Sequence, residues 1–140
     1  MTLVYFDASA LVKLVVDEEG SALAAALWDG CDSALSSRLS YPEVRSALAA
    51  ATRDHRIDTR SLGKVQRDWE QFWSAIQPVE LTAAVERHAG ELASAYSLRG
   101  ADAIHLASAL AIKLPDLIVA VWDHRLREGV LSAGLRIAPA

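Results

Sequence analysis

The chain has 140 residues, 52% of them apolar, and a formal net charge of -4 at neutral pH. That is length enough to bury a substantial core in a single domain over residues 1–140, and the apolar fraction is that of a soluble globular protein, which excludes a disordered or fibrous chain. The acidic balance excludes a domain that holds nucleic acid by overall positive field, so such a partner would have to be met through bound cations or a local basic rim.

Residues 3–6 (Leu-Val-Tyr-Phe) are an apolar, β-rich run that meets an acid at Asp7, and Ala10, Leu11 and Leu14 follow at helical spacing. This predicts a buried strand leading at once into a short helix over 9–16. Asp7 stands where the strand ends and the helix begins, which also makes it a natural N-cap. No basic region precedes the run and an acid interrupts it, so neither a signal peptide nor a membrane span is expected, and a cytoplasmic location is the default. Residues 21–28 predict a second helix, rich in Ala and Leu and closed by Asp29-Gly30. Cys31 is the only cysteine, which excludes an intramolecular disulfide and a thiolate-rich zinc site.

Residues 33–36 are a short strand candidate. After them Ser40 and Glu43 have capping-box spacing with Pro42 in the first turn, and Val44, Ala47, Leu48 and Ala51 form one helical face. Residues 62–76 predict a helix whose Val65, Trp69, Phe72, Trp73 and Ile76 read as core or a self-association face and not as a base-stacking platform. A short extended link over 78–81 follows. Leu81, Val85, Ala89, Leu92 and Tyr96 then repeat on one helix face, broken at Leu98-Arg99-Gly100. Residues 101–114 predict a helix packed on several sides, with Asp102 in its first turn and His105 as a satisfied core residue. Pro115 and Asp116 stop it, 117–122 predict a buried strand, and Asp123 leaves that strand for a helix over 124–131. A last short strand is expected at 135–137. Strands alternating with helices in this way predict an α/β protein with a central parallel sheet.

Asp7, Glu43, Asp102 and Asp123 each follow a strand end or open a helix. Each alone is explained by capping and the helix dipole. In a doubly wound parallel sheet, however, strand C-termini and helix N-termini share one edge, so the four carboxylates can converge there. Two unit charges about 4 Å apart repel by roughly 4 kcal/mol at an effective dielectric near 20, so such a cluster calls for a cation or for raised pKa values. Oxygen donors without thiolate suit Mg²⁺ or Mn²⁺, and the chemistry this favours is metal-assisted attack of water on a phosphodiester. No phosphate-binding Gly-rich loop, Gly-x-Ser-x-Gly elbow or His-Glu-x-x-His motif occurs. Ser9 reads as a cap or as a hydrogen-bond donor to a ligating carboxylate.

Taken together, Tyr5-Phe6-Asp7-Ala8-Ser9-Ala10-Leu11-Val12-Lys13, Ser40-Tyr41-Pro42-Glu43-Val44-Arg45, the run from Leu98 through Asp102 and His105 to Leu110, and Trp122-Asp123-His124-Arg125-Leu126 resemble the PIN-domain family, and within it the VapC-type toxins of bacterial toxin-antitoxin pairs. The resemblance spans nearly the whole chain. It implies a three-layer α/β/α fold and a Mg²⁺- or Mn²⁺-dependent endoribonuclease acting on single-stranded regions of RNA. It also implies a homodimer and an antitoxin that blocks the active site. Carried onto this sequence, it makes Asp7 and Asp102 the principal metal ligands, with Glu43 and Asp123 completing the acidic site. One position departs from the family's habit: Thr or Ser often stands two residues before the last acid, and here it is Val121. Two other readings remain open at this point, an aspartyl-nucleophile phosphatase built on Asp7 and a catalytically silent binding module. Lys13, Arg38, Arg45, Arg99 and Arg125 lie near the acids in sequence and are the candidates to meet RNA phosphate or an antitoxin acid.

Overall fold

A computed structural model describes residues 1–140. Five strands, β1 (Leu3–Phe6), β2 (Ser33–Ser37), β3 (Gln77–Val79), β4 (Ile118–Ala120) and β5 (Arg136–Ala138), form one sheet in the order β3-β2-β1-β4-β5. Every pairing is parallel, with Tyr5 opposite Leu35 on one side and Val119 on the other. Seven helices cover it: α1 (Ala8–Val15), α2 (Ser21–Gly30), α3 (Ser40–Arg53), α4 (Leu62–Ser74), α5 (Ala83–Tyr96), α6 (Gly100–Ala111) and α7 (His124–Ser132). None is long and apolar enough to cross a membrane.

The alternation of side chains along β1 divides the interior in two. Tyr5 joins Leu106, Val119, Leu126 and the Ala-rich faces of α5 and α6 on one side of the sheet. Val4 and Phe6 point the other way, onto Leu11, Val44, Leu48 and Trp69 of α1, α3 and α4. Both faces are therefore covered and the architecture is three-layer α/β/α. Fully buried apolar side chains such as Phe6 and Leu11 contribute about 1.5–3 kcal/mol each in transfer free energy. The aromatic face of α4 is core: Trp69 is completely buried, and Phe72 meets Trp28 edge-on with centroids 5.0 Å apart.

The chain winds β1-β2-β3 in one direction, then returns to place β4 and β5 on the other side of β1. The winding reverses between β1 and β4, and a crevice opens there beyond the C-terminal strand ends. Asp7 follows β1 and Asp123 follows β4, so the two acids flank this point.

Several boundaries differ from the sequence expectation, each for a local reason. Leu81 lies outside α5 and is exposed, because the Thr82 hydroxyl accepts from Val85 N at 3.1 Å and starts the helix at Ala83. The expected link at 78–81 begins earlier, as edge strand β3, where Pro78 is tolerated. α6 stops at Ala111, and Lys113 beyond it adopts a left-handed φ of 57°. The capping box at Ser40 and Glu43 does not form. Ser40 is already helical, its hydroxyl bonds to Ser36 Oγ at 2.6 Å, and the Glu43 side chain turns away to another partner.

Gly20 precedes α2 at a φ of +91°, and a Cβ there would lie 2.8 Å from Trp122 Nε1. This close approach seats the indole that immediately precedes Asp123. Gly20→Ala is expected to cost about 1–3 kcal/mol, from backbone strain and displacement of the ring. Urea unfolding with an unchanged midpoint would show that Trp122 yields freely.

Candidate active site

Asp7, Glu43, Asp102 and Asp123 line one open pocket of about 290 Å³, together with Ser9, Arg99 and His105. They come from separate parts of the fold: the end of β1, the first turn of α3, the first turn of α6, and the end of the segment that follows β4. The parallel sheet explains the meeting, because its C-terminal edge collects acids that are distant in sequence.

Asp7 is buried and tightly held. Its Oδ1 accepts from Ala10 N at 2.9 Å as the N-cap of α1, and Ser9 Oγ lies 3.0 Å from each carboxylate oxygen. Burial pushes its pKa up from the ordinary 3.8, and the nearby Glu43 charge adds to this. His105, the Ala10 amide and Ser9 act in the opposite direction. Asp102 is half-buried. Its pKa is also raised, first by burial and then by the Asp123 carboxylate, with His105 and Arg99 opposing. Asp123 is exposed and caps α7, accepting from Leu126 N at 3.0 Å. Val121, which stands in place of a hydroxyl residue, is fully buried. Its carbonyl accepts from Arg127 Nη1 at 2.9 Å, and the same atom reaches Pro139 O at 2.8 Å. This guanidinium, which the sequence did not single out, braces the corner that presents Asp123.

His105 is the other residue whose part in the site the sequence did not disclose. It is a satisfied core histidine, as expected, with Nδ1 2.8 Å from Tyr5 Oη, but its Nε2 is 2.7 Å from Glu43 Oε1. The sequence signal was available: His105 follows Asp102 by three residues on one helix and shares its face, and Tyr5 precedes Asp7 by two on one strand face.

The candidate cations divide. Lys13 is committed to Glu18 and the Glu19 carbonyl and lies over the Trp122 ring. Arg38 pairs with Glu80, and Arg45 with Glu70. Arg99 lines the pocket itself, while Arg125 is exposed and forms no ion pair.

The donor set fits a hard divalent cation. It is made of carboxylate oxygens, the lone thiol at Cys31 is not among the lining residues, and Asp7 and Asp102 have pKa values raised by burial and by neighbouring carboxylates. No three of these side chains stand close enough together to form a ready-made cage, as expected of like charges with nothing between them to offset their repulsion.

Comparison with known proteins agrees with this architecture. A family model described as PIN domain matches residues 4–128. Two curated proteins of Mycobacterium tuberculosis, Ribonuclease VapC45 and Ribonuclease VapC49, are each 66% identical over 140 residues, covering all of this chain and 97% of theirs. Among solved structures, VapBC2 from Rickettsia felis bound to a promoter DNA fragment superposes with a TM-score of 0.68 at 10% identity, over 97% of both chains. FitAcB from Neisseria gonorrhoeae gives 0.67 at 16% identity, over 96% of this chain and 95% of that one. At those identities the structures attest the fold, while the family model and the curated relatives attest kinship. The chain belongs to the PIN-domain family, in its VapC group.

Proposed function

We propose that this protein is a Mg²⁺- or Mn²⁺-dependent endoribonuclease that cleaves single-stranded regions of RNA and serves as the toxin of a toxin-antitoxin pair. The observation that carries the reading is the gathering of Asp7, Glu43, Asp102 and Asp123 around one pocket at the switch point of the sheet. Asp7 and Asp102 are the principal metal ligands in this reading, and Glu43 and Asp123 complete the site. A bound divalent cation supplies a lowered pKa for the attacking water and charge stabilisation on the phosphoryl oxygens.

The chain's own residues supply position. The Ala10 amide and the Ser9 hydroxyl fix the rotamer of Asp7, so its oxygens need no reordering when a ligand arrives. Asp102 and Asp123 repel each other across the pocket and hold it open to a cation. Arg99 on the rim meets the phosphate of the incoming strand. Hydrolysis then forms one P–O bond to water and breaks the one to the leaving oxygen, which takes up a proton.

The phosphatase reading calls for a second acid two residues after the nucleophile, and Ser9 stands there instead. The ribonuclease activity is supported by the names of the relatives at 66% identity, and the toxin role by membership of the VapC group. An antitoxin partner, a homodimer and a cytoplasmic location follow from the same reading.

The test is incubation of purified, partner-free protein with single-stranded RNA in Mg²⁺, Mn²⁺ or chelator. Metal-dependent cutting is expected; no cutting in any metal, with no Mn²⁺ bound, would leave the binding-module reading in its place. Arg99→Gln is expected to weaken RNA binding evenly across sequences and to lower the slope of log affinity against log salt by about 0.7, the value of one phosphate contact on a single strand. Titrations at several salt concentrations check this, and superimposable curves would remove Arg99 from the RNA path.

A further inference from the structure

The α3 helix sets where Glu43 starts, but its carboxylate is turned by a residue from another layer of the fold. An ionised carboxylate only accepts hydrogen bonds, so the 2.7 Å contact between Glu43 Oε1 and His105 Nε2 places a hydrogen on Nε2. The opposite nitrogen, Nδ1, lies 2.8 Å from Tyr5 Oη. That phenol oxygen already accepts from the Ser37 amide at 3.2 Å, and in a neutral ring that carries its hydrogen on Nε2 the bare Nδ1 accepts the phenol's own hydrogen. The ring itself is only 4% exposed and both its nitrogens are engaged, so His105 is not free to exchange protons with substrate.

We propose that Tyr5, anchored by the Ser37 amide at the end of β2, holds His105 as the Nε2–H tautomer, and that His105 thereby fixes Glu43 by Oε1 and leaves Oε2 to face a ligand. Tyr5 and His105 are positioning residues, linked from the β1–β2 core through α6 to α3. The inference rests on the metal-site reading above for its purpose, while the hydrogen-bond chain stands on this structure alone. A buried partner that fixes the rotamer of a ligating carboxylate is worth about 10–100-fold in metal affinity.

The decisive measurement is the ¹⁵N shifts of the His105 ring in metal-free protein at neutral pH. A protonated Nε2 with a bare, hydrogen-bonded Nδ1 is expected in the wild type, and a shift of Nδ1 toward that of an unbonded ring nitrogen in Tyr5→Phe. A wild-type ring protonated on Nδ1 alone or on both nitrogens, or averaging between tautomers, would overturn the proposal whether or not the protein cuts RNA. Mn²⁺ affinity, titrated without RNA, then tests the purpose. His105→Leu is expected to weaken it about 10–100-fold, and His105→Gln, whose amide nitrogen can stand in for Nε2, to recover most of that loss. Equal Mn²⁺ affinity in folded Leu and Gln variants would overturn the positioning role. Ring shifts as expected in a protein that neither binds Mn²⁺ nor cuts RNA would sink the nuclease reading and leave the hydrogen-bond chain established.

Discussion

Asp7→Asn is expected to abolish cleavage, by roughly 10³-fold or more, and at the same time to raise the melting temperature of the metal-free protein. In the proposed metal site Asp7 is a principal ligand, and losing the several kcal/mol of charge stabilisation that the ion would supply accounts for the first effect. The second follows from the cost of keeping a charge inside the protein. Burial holds the Asp7 pKa above its ordinary 3.8, so the ionised form destabilises the fold at neutral pH. A group raised in this way contributes stability below its unfolded pKa and loses that contribution as pH rises through its folded pKa. The gain from Asp7→Asn is therefore absent at about pH 3 and grows above pH 3.8 toward neutrality. Asparagine keeps an oxygen for the Ala10 amide, so the helix cap survives. In a domain of this size each kcal/mol relieved is worth about 3–5 °C in Tm. Mg²⁺ should invert the order, stabilising the wild type by mass action and leaving the variant unmoved. Thermal melts of both proteins from pH 3 to 8, with and without Mg²⁺, read all of this; an Asp7→Asn protein that melts lower at neutral pH without metal would show that the charge is compensated within the fold.

Asp102→Asn should lose activity on the same scale, roughly 10³-fold, whereas Asp123→Asn should lose about 10–100-fold with no loss of stability. Asp102 is half-buried within the pocket, and its raised pKa records both burial and the neighbouring Asp123 charge. Asp123 is exposed and already spends one oxygen on the α7 cap, a task that Asn performs equally well. Each substitution also removes the repulsion the other acid feels, so the pair is not additive: the double variant should lose less than the product of the single losses. Cleavage rates for the three variants at saturating Mn²⁺, beside urea unfolding, separate these terms. Equal losses from the two single variants would place Asp123 alongside Asp102 as a principal ligand.

Much of the fold was legible because both strand and helix periodicities were unambiguous where burial was complete. Leu3 to Phe6 read as a buried strand, and the Trp69 face of α4 as core or a self-association face, of which the structure shows Trp69 in the core. The alternation of elements dictated a parallel sheet, and a parallel sheet dictates a shared edge, which is why four acids spread from position 7 to position 123 could be assigned to one place. The failures are equally physical. Ser40 and Glu43 satisfy the spacing of a capping box, yet Ser36 captures the serine and His105 the glutamate, because a buried tertiary partner outcompetes a solvent-exposed local one. Leu81 fitted the apolar stripe of α5, but Thr82 offered a cap one residue later and the helix began there.

The sequence by itself determined the class of fold, the edge at which the acids collect, and the donor chemistry of the pocket, since these depend on residue type and on period. Only the tertiary structure decided which oxygens are free. The cap at Asp7 and its Ser9 donor were already legible, but the structure alone shows that Arg38 and Arg45 are spent on Glu80 and Glu70 while Arg99 lines the pocket, and that Tyr5 reaches Glu43 through His105. Those contacts join residues as far as 100 positions apart, and no local pattern encodes them, because hydrogen-bond partners across layers are chosen by packing geometry after the sheet has formed.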